Sequence, residues 1–109
     1  MSERLKKINS FIFKELSKIL AKMVLMSDHG MITITAVDVA PDLKTATIWI
    51  SILPEEKEKD ALLFLKSNDY EIRNQLKDKI TFKYIPILNY KLDRSLKNAA
   101  IVEKLLEEI

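Results

Sequence analysis

Two β-branched stretches joined by a short turn are the feature that most restricts how this chain can fold. Residues 31–39 (MITITAVDV) begin as an alternation of isoleucine and threonine, and Pro41-Asp42 supplies turn residues after them. Residues 45–51 (TATIWIS) alternate in the same way, a pattern typical of strands with one buried face. The sequence therefore predicts an antiparallel hairpin whose second strand has one apolar face (Ala46, Ile48, Ile50) and one mainly polar face (Thr45, Thr47, Trp49, Ser51).

A long amphipathic helix is predicted before the hairpin, over about residues 4–26. Apolar residues recur there at three- and four-residue steps, which is the spacing of one helix face. Gly30, the only glycine of the chain, lies where this helix must end and the first strand begin, a position that suits a positive φ. The predicted buried stripe consists of Leu5, Ile8, Ile12, Leu16, Ile19, Leu20 and Met23.

Two short helices are predicted after Pro54. The acidic stretch 55–60 suits the first turns of a helix, and three small polar residues at 67–69 interrupt the apolar spacing. Asn68 with Glu71 resembles a capping box, with Ser67 or Asp69 as the alternative caps, so the break starts a new helix in a new direction. The predicted buried residues are Ala61, Leu62 and Leu65 in the first helix and Ile72, Leu76 and Ile80 in the second.

A third strand and a last helix complete the predicted order. Residues 81–92 form the strand, and Pro86 within it indicates an edge position or a bulge. Because two helices precede it, this strand can run parallel to the second after a right-handed crossover. The predicted class is α+β, with order α-β-β-α-α-β-α, a three-stranded mixed sheet and helices on one face. Asp93 or Ser95 caps the last helix, whose apolar stripe is Leu96, Ala99, Val102, Leu105, Leu106 and Ile109.

Composition excludes several classes of protein. A chain of 109 residues with 48% hydrophobic and 31% charged residues suggests one globular domain, residues 1–109, and holds no apolar run long enough to span a membrane. The absence of cysteine and a charged N-terminus without a secretory signal indicate a cytoplasmic protein. His29 is the only histidine, and we expect it to be a turn or helix C-cap residue. The sequence predicts no metal, no cofactor, no small-molecule substrate and no enzyme activity.

The positive charge of the chain is concentrated at its N-terminus. Residues 1–29 contain six Lys/Arg against three Asp/Glu, whereas residues 30–92 contain nine of each. On a helical wheel the cations of the first helix fall within roughly an 80° arc opposite the apolar stripe, with Glu15 at its margin. An exposed aromatic flanked by cations suits nucleic acid, although surface lysines are also what any soluble helix needs. The candidate RNA-binding residues of this arc are Arg4, Lys7, Phe11, Lys14, Lys18 and Lys22.

A second group of candidates surrounds the helix pair and the third strand. The cations there are Lys66, Arg73, Lys77, Lys79 and Lys83, and all but Lys79 are candidate RNA-binding residues. Arg73, Lys77 and Lys83 are favoured as contacts to RNA phosphates, with an Asp69–Arg73 ion pair as the alternative role of Arg73. Trp49 also has two possible roles. It has a structural role, in which it covers the sheet or packs under a helix, or it stacks on RNA.

Two segments resemble the ribosome-binding factor A family. Residues 30–51, GMITITAVDVAPDLKTATIWIS, are similar to that family's hairpin, with its Gly-x-(Val/Ile)-Thr-Ile-Thr and Pro-Asp-Leu patterns. Residues 71–96, EIRNQLKDKITFKYIPILNYKLDRSL, resemble that family's Ile-Arg-x-x-Leu motif, its basic Leu-Arg-x-x-Pro approach and its Pro-x-Leu-x-Phe-x-x-Asp-x-Ser segment. The similarity runs from about Ser2 to Ile109, and it implies a KH-like fold of type II.

The resemblance implies a monomeric, non-catalytic bacterial assembly factor that binds the 30S subunit and 16S rRNA, assists rRNA maturation and matters most in the cold. One departure concerns the bend between the two short helices. The family has Ala-x-Gly there, whereas this chain has Asn68-Asp69-Tyr70, and Asp69 would repel phosphate. A protein-interaction module that acts through its sheet edge or its C-terminal helix is the alternative function.

Overall fold

The computed structural model describes residues 3–25, 29–79 and 85–95. They form helix α1, strands β1 and β2, a single 3₁₀ turn, helices α2 and α3, and strand β3, which confirms the predicted class and the predicted order as far as β3. The predicted last helix lies outside the described residues beyond Ser95. The bounds are α1 Glu3–Leu25, β1 Met31–Val39, β2 Thr45–Leu53, the 3₁₀ turn Glu55–Lys57, α2 Glu58–Ser67, α3 Asp69–Lys77 and β3 Ile87–Leu92.

The sheet has the strand order β1-β2-β3. β1 and β2 pair antiparallel and β2 and β3 pair parallel, as predicted, because α2 and α3 carry the chain across the sheet between them. β3 is an edge strand and is shorter than expected, since it begins immediately after Pro86. Proline has no N–H to donate to a strand ladder, so β3 starts to bond at Ile87. The Ile87 backbone N–H donates to the carbonyl oxygen of Lys44, the residue just before β2, at 2.9 Å. Residues 81–84 of the predicted strand lie outside the described part.

A β-bulge at Thr35 changes the alternation of β1. Ile34 pairs with Ile50, whereas Ala36 pairs with Trp49, so Thr35 is an extra residue without a partner in the ladder. Its Oγ1 donates to Asp93 Oδ2 at 2.6 Å and lies 3.3 Å from the Trp49 carbonyl oxygen. The bulge thus turns a hydroxyl toward the end of β3, on the far side of β2.

The core lies between one face of the sheet and the three described helices. At two fully buried isoleucines of β2, Ile48 and Ile50, the alternation predicted from sequence is confirmed. The opposite face, called the open face below, has none of these helices on it. The buried residues come from α1 (Ile8, Ile12, Leu16, Ile19, Leu20), β1 (Ile32, Ile34, Val39), β2 (Ala46, Ile48, Ile50, Ile52), α2 (Ala61, Leu65), α3 (Ile72, Leu76) and β3 (Leu88). The open face consists of Met31, Thr33, Ala36, Asp38, Thr45, Thr47, Trp49, Ser51, Leu53, Ile87, Asn89 and Lys91.

The break between α2 and α3 occurs where the sequence predicts it, but its chemistry differs. Asn68 makes no side-chain hydrogen bond to the first turn of α3, so the predicted capping box with Glu71 is wrong. Instead Asn68 Nδ2 and the Asn68 backbone N–H donate to the Phe64 oxygen at 2.8 and 3.1 Å. A terminal carbonyl of α2 is thereby satisfied, and Asn68 ends one helix more than it starts the next.

His29 joins the beginning of β1 to α2. Its Nδ1 lies 2.5 Å from Asp60 Oδ2, and its ring stacks on Phe64 with 4.3 Å between centroids. Within residues 3–25, 29–79 and 85–95, no group of three His, Cys, Asp or Glu side chains could hold a metal ion. None of the helices in this described part is both long and apolar enough to cross a membrane.

Asp93 gives the fold a pH-dependent contact. Hydrogen bonds from the Ser95 hydroxyl, from Thr35 and from the Ser95 backbone lower its pKa below the ordinary 3.8. A lowered pKa stabilises the fold above the unfolded-state value, and this contribution is lost as the pH falls through the folded-state pKa. We therefore expect Asp93→Asn to lower the urea midpoint near pH 7 and the difference from wild type to shrink below about pH 4. Asp38→Asn, on an exposed position of β1, is the control and should leave the midpoint unchanged.

Candidate nucleic-acid interface

The cations of α1 form one exposed face of the molecule. Arg4, Lys7, Lys14, Lys18 and Lys22 are all exposed, whereas the residues on the other side of the helix are buried. The acid at the margin of the predicted arc reaches one of these cations, because Lys18 Nζ lies 3.6 Å from Glu15 Oε1. The Lys18 side chain is 60% exposed and that of Glu15 is 14% exposed, so the ammonium stays accessible to an RNA phosphate while the i,i+3 pair contributes on the order of a few tenths of a kcal/mol.

Phe11 lies in the middle of this basic face, as predicted. Its side chain is 36% exposed, and it lines a shallow surface groove of about 410 Å³ together with Lys6, Lys7, Ser10 and Lys14. An aromatic ring between ammonium groups offers a base a stacking surface and offers the adjoining phosphates counter-charge. Lys6 was not among the sequence candidates, although its position next to Lys7 was the available signal.

The basic face continues onto α3. Lys18 and Lys22 border a small depression whose far side is formed by Gln75 and by Lys79, just after α3. The continuity arises because α1 and α3 pack side by side on the same face of the sheet. We call the surface formed by Arg4, Lys6, Lys7, Phe11, Lys14, Lys18, Lys22 and Lys79 the basic surface.

The second group of sequence candidates does not form one site. Lys66 and Lys77 are exposed at the C-terminal ends of α2 and α3, and Lys83 lies outside the described residues. Lys66 borders a different groove, between the α2–α3 break and β3, whose other lining residues are Asp69, Leu88, Asn89, Tyr90 and Lys91. Proximity in sequence therefore grouped side chains that the fold separates.

Arg73 lies partly inside the protein. Its Nη2 donates to the Ile85 carbonyl oxygen at 3.3 Å, and its Nε is buried. Tyr90 lies nearby: burial raises the pKa of its hydroxyl strongly, the Asp69 carboxylate adds to this, and the Arg73 guanidinium opposes it. This environment assigns Arg73 mainly to holding the segment before β3 against α3, and RNA contact by Arg73 stays a prediction.

Replacement of Arg73 tests this structural role. We expect Arg73→Ala to lower the free energy of unfolding by about 1–3 kcal/mol, because the Ile85 carbonyl oxygen loses its hydrogen-bond donor. Lys77→Ala, one turn further along α3 and exposed, should change it by less than about 0.5 kcal/mol. Urea unfolding followed by circular dichroism measures both, and equal stabilities would show that Arg73 has no structural role.

The break itself offers RNA little. Tyr70 projects into solvent with 80% of its side chain exposed, and the neighbouring Asp69 contributes a carboxylate. No glycine brings backbone N–H groups close to a ligand there. A phosphate is thus better accommodated on the basic surface than at the break.

Trp49 lies in the centre of the open face, away from the basic surface. Its side chain is half-buried, and Lys91 Nζ lies 5.9 Å from the ring centroid. The described helices are on the other side of the sheet, so Trp49 does not pack under any of them. The open face is therefore a second surface to be explained.

Comparison with known proteins gives a consistent family. Residues 4–106 match the family model of ribosome-binding factor A. The chain is 38% identical to ribosome-binding factor A of Opitutus terrae over 110 residues, covering all of this chain and 89% of the relative. It is 36% identical to that of Lachnospira eligens over 105 residues, covering 94% and 81%.

Solved structures agree in fold. The crystal structure of ribosome-binding factor A from Thermus thermophilus superposes with a TM-score of 0.73 at 16% identity, covering 84% of this chain and 98% of the other. A homology model of the Thermus thermophilus factor, fitted into the cryo-EM map of its complex with 30S, gives a TM-score of 0.64 at 17% identity, covering 77% and 89%.

Proposed function

The chain belongs to the ribosome-binding factor A family, and we propose that it binds the small ribosomal subunit through 16S rRNA and assists the maturation of that rRNA. The observation that carries the proposal is the family match over residues 4–106. The 30S complex of the Thermus thermophilus factor supports the choice of the small subunit as partner.

The basic surface is the proposed RNA contact. Phosphate groups dominate affinity for nucleic acid, and side chains cannot read the deep, narrow major groove of A-form RNA. A row of exposed lysines and one arginine, with Phe11 among them, suits phosphate contacts combined with stacking on an unpaired base. The proposed contacts are Arg4, Lys6, Lys7, Phe11, Lys14, Lys18, Lys22 and Lys79, with Lys66, Arg73, Lys77 and Lys83 as peripheral contacts.

The proposed role is that of a binding factor without catalysis, acting as a monomeric single domain in the cytoplasm and most needed in the cold. The names of the relatives support a binding role. A factor without catalytic activity can still favour one rRNA conformation. It needs only a higher affinity for that conformation than for the alternative one.

Co-sedimentation tests the proposal directly. The purified protein is centrifuged with isolated small subunits, large subunits and free 16S rRNA at two salt concentrations. We expect retention on small subunits that weakens with salt, because phosphate contacts release counterions. Equal retention on small subunits, large subunits and free 16S rRNA would indicate that the protein binds polyanions without preference for the small subunit. No retention by the folded protein would contradict the proposal and favour the protein-interaction alternative.

A further inference from the structure

We propose that the open face of the sheet is the docking site of the C-terminal segment, residues 96–109. This inference goes beyond the proposed function and does not depend on it. It rests on three observations: the apolar groups on the open face, the path of the chain at residues 93–95, and the pattern of the segment itself.

The open face has apolar groups that are costly to leave in water. Met31 and Leu53 are cross-strand partners at one end of the hairpin and are 64% and 53% exposed. Trp49 lies further along the same face of β2. Removing such side chains from water is favourable in proportion to the apolar area buried, so a covering element would be stabilising.

The chain turns onto this face directly after β3. The Asp93 N–H donates to the Ile50 oxygen at 2.7 Å, which continues the pairing with β2 by one residue. Strand alternation then places the Asp93 side chain on the same side as Lys91, that is, on the open face. Its Oδ2 accepts the bond from Thr35, which belongs to β1, so the carboxylate reaches across β2.

Ser95 follows that carboxylate. Its backbone N–H and its hydroxyl both donate to Asp93 Oδ1, at 2.9 and 2.6 Å. An acidic side chain that accepts the N–H two residues later is the arrangement of a helix N-cap. The chain thus leaves Ser95 at the open face, in a conformation suited to begin a helix.

Arg94 holds the same turn from the rim of the sheet. Its Nη2 lies 3.0 Å from Glu58 Oε2, and its Nη1 lies 3.5 Å from Glu55 Oε1. Residues 93–95 are therefore held at two points. The Thr35 hydroxyl binds Asp93, and the carboxylates of Glu55 and Glu58 bind Arg94. A turn held in this way sets where the following segment starts.

The segment has a pattern and length that suit a cover for this face. At about 1.5 Å per residue, a helix over residues 96–109 is roughly 21 Å long, shorter than the roughly 30 Å of the nine-residue β2. One amphipathic helix packed on one face of a three-stranded sheet is an ordinary layer arrangement. The sequence prediction put all helices on one face, whereas this proposal puts the last one on the other. The side chains that would meet the sheet are Leu96, Ala99, Val102, Leu105, Leu106 and Ile109.

The proposal assigns separate roles to the two sides of the domain. The basic surface stays available to RNA on the helical side, and Trp49 is covered by the chain itself. The stacking of Trp49 on RNA is then not part of binding.

Trp49 is the only tryptophan of the chain, so its fluorescence reports on the open face alone. In the full chain, Val102→Asp puts a charge into the proposed contact. We expect the emission maximum to shift to longer wavelength and acrylamide to quench the emission more strongly. Lys104→Asp places an aspartate on the opposite side of the predicted helix, where no residue three or four positions away belongs to the proposed contact, and should leave both unchanged.

Amide hydrogen exchange of the wild-type protein gives an independent readout in case Val102→Asp does not fold. Peptides covering 96–109 should exchange more slowly than an unstructured chain. Exchange at unstructured rates, or unchanged Trp49 emission in a folded Val102→Asp variant, would overturn the proposal. It would also be overturned if wild-type Trp49 emission responded to 16S rRNA fragments, which would indicate an RNA platform, or to protein concentration, which would indicate a second copy as the occupant.

Discussion

Charge reversal at Lys7, Lys14 and Lys22 is expected to lower the affinity for small-subunit RNA by about 100-fold near 0.1 M salt. Each phosphate contact contributes about 0.7 to 0.9 to the slope of log affinity against log salt, so three lost contacts flatten the slope by roughly 2 to 3. Lys18 is not substituted, because it forms an ion pair with Glu15. Arg73 is not substituted either, because its guanidinium donates a hydrogen bond to the Ile85 carbonyl oxygen.

The variant should keep its fold, since all three side chains are exposed on the far side of α1 from the core. Its free energy of unfolding is expected to stay within about 0.5 kcal/mol of wild type. Lys44→Glu with Lys59→Glu, at two exposed positions outside the basic surface, controls for two of the three charge reversals. Filter binding across a salt series measures affinity and slope together. Equal losses in the control pair and in the α1 variant would mean that the basic surface has no special role.

The parts of the fold that sequence could predict are those governed by local periodicity. The alternation of β2 is uninterrupted, so its buried face, including Ile48 and Ile50, could be assigned residue by residue. The stripe of α1 and the basic arc opposite it follow from the same helical period, and the fully buried Leu16 lies on that stripe as predicted. One strongly amphipathic helix thereby determined both a core face and a candidate RNA face.

The parts that sequence missed depend on which partner a particular polar side chain binds. The bulge at Thr35 is stabilised in part by Asp93, 58 residues away, and nothing local in residues 31–39 signals it. Asn68 has the sequence context of a capping box, but its amide satisfies the Phe64 carbonyl behind it. The role of Arg73 likewise depends on Ile85, which follows in the approach to β3. Each of these three features depends on a polar group whose partner is identified only in three dimensions.

Gly30 shows how a local rule and a long-range contact can coincide. Its φ is +81°, the region that glycine alone enters without cost, as expected at the end of the first predicted segment. The same residue packs against the end of β2: a Cβ at this position would lie 2.7 Å from the Leu53 oxygen and 3.1 Å from Lys57 Cβ. Because the first of these is a backbone atom, relief would require movement of the strand end.

Gly30→Ala is therefore expected to lower the free energy of unfolding by about 3 kcal/mol, combining left-handed strain with the collision at Leu53. Gly30→Asn separates the two causes, because asparagine tolerates positive φ but carries the same Cβ. If the collision dominates, both variants lose similar stability; if the strain dominates, Asn loses clearly less. Urea unfolding provides the measurement. A free energy of unfolding for Gly30→Ala within about 0.5 kcal/mol of wild type would contradict the close approach of Gly30 to the end of β2.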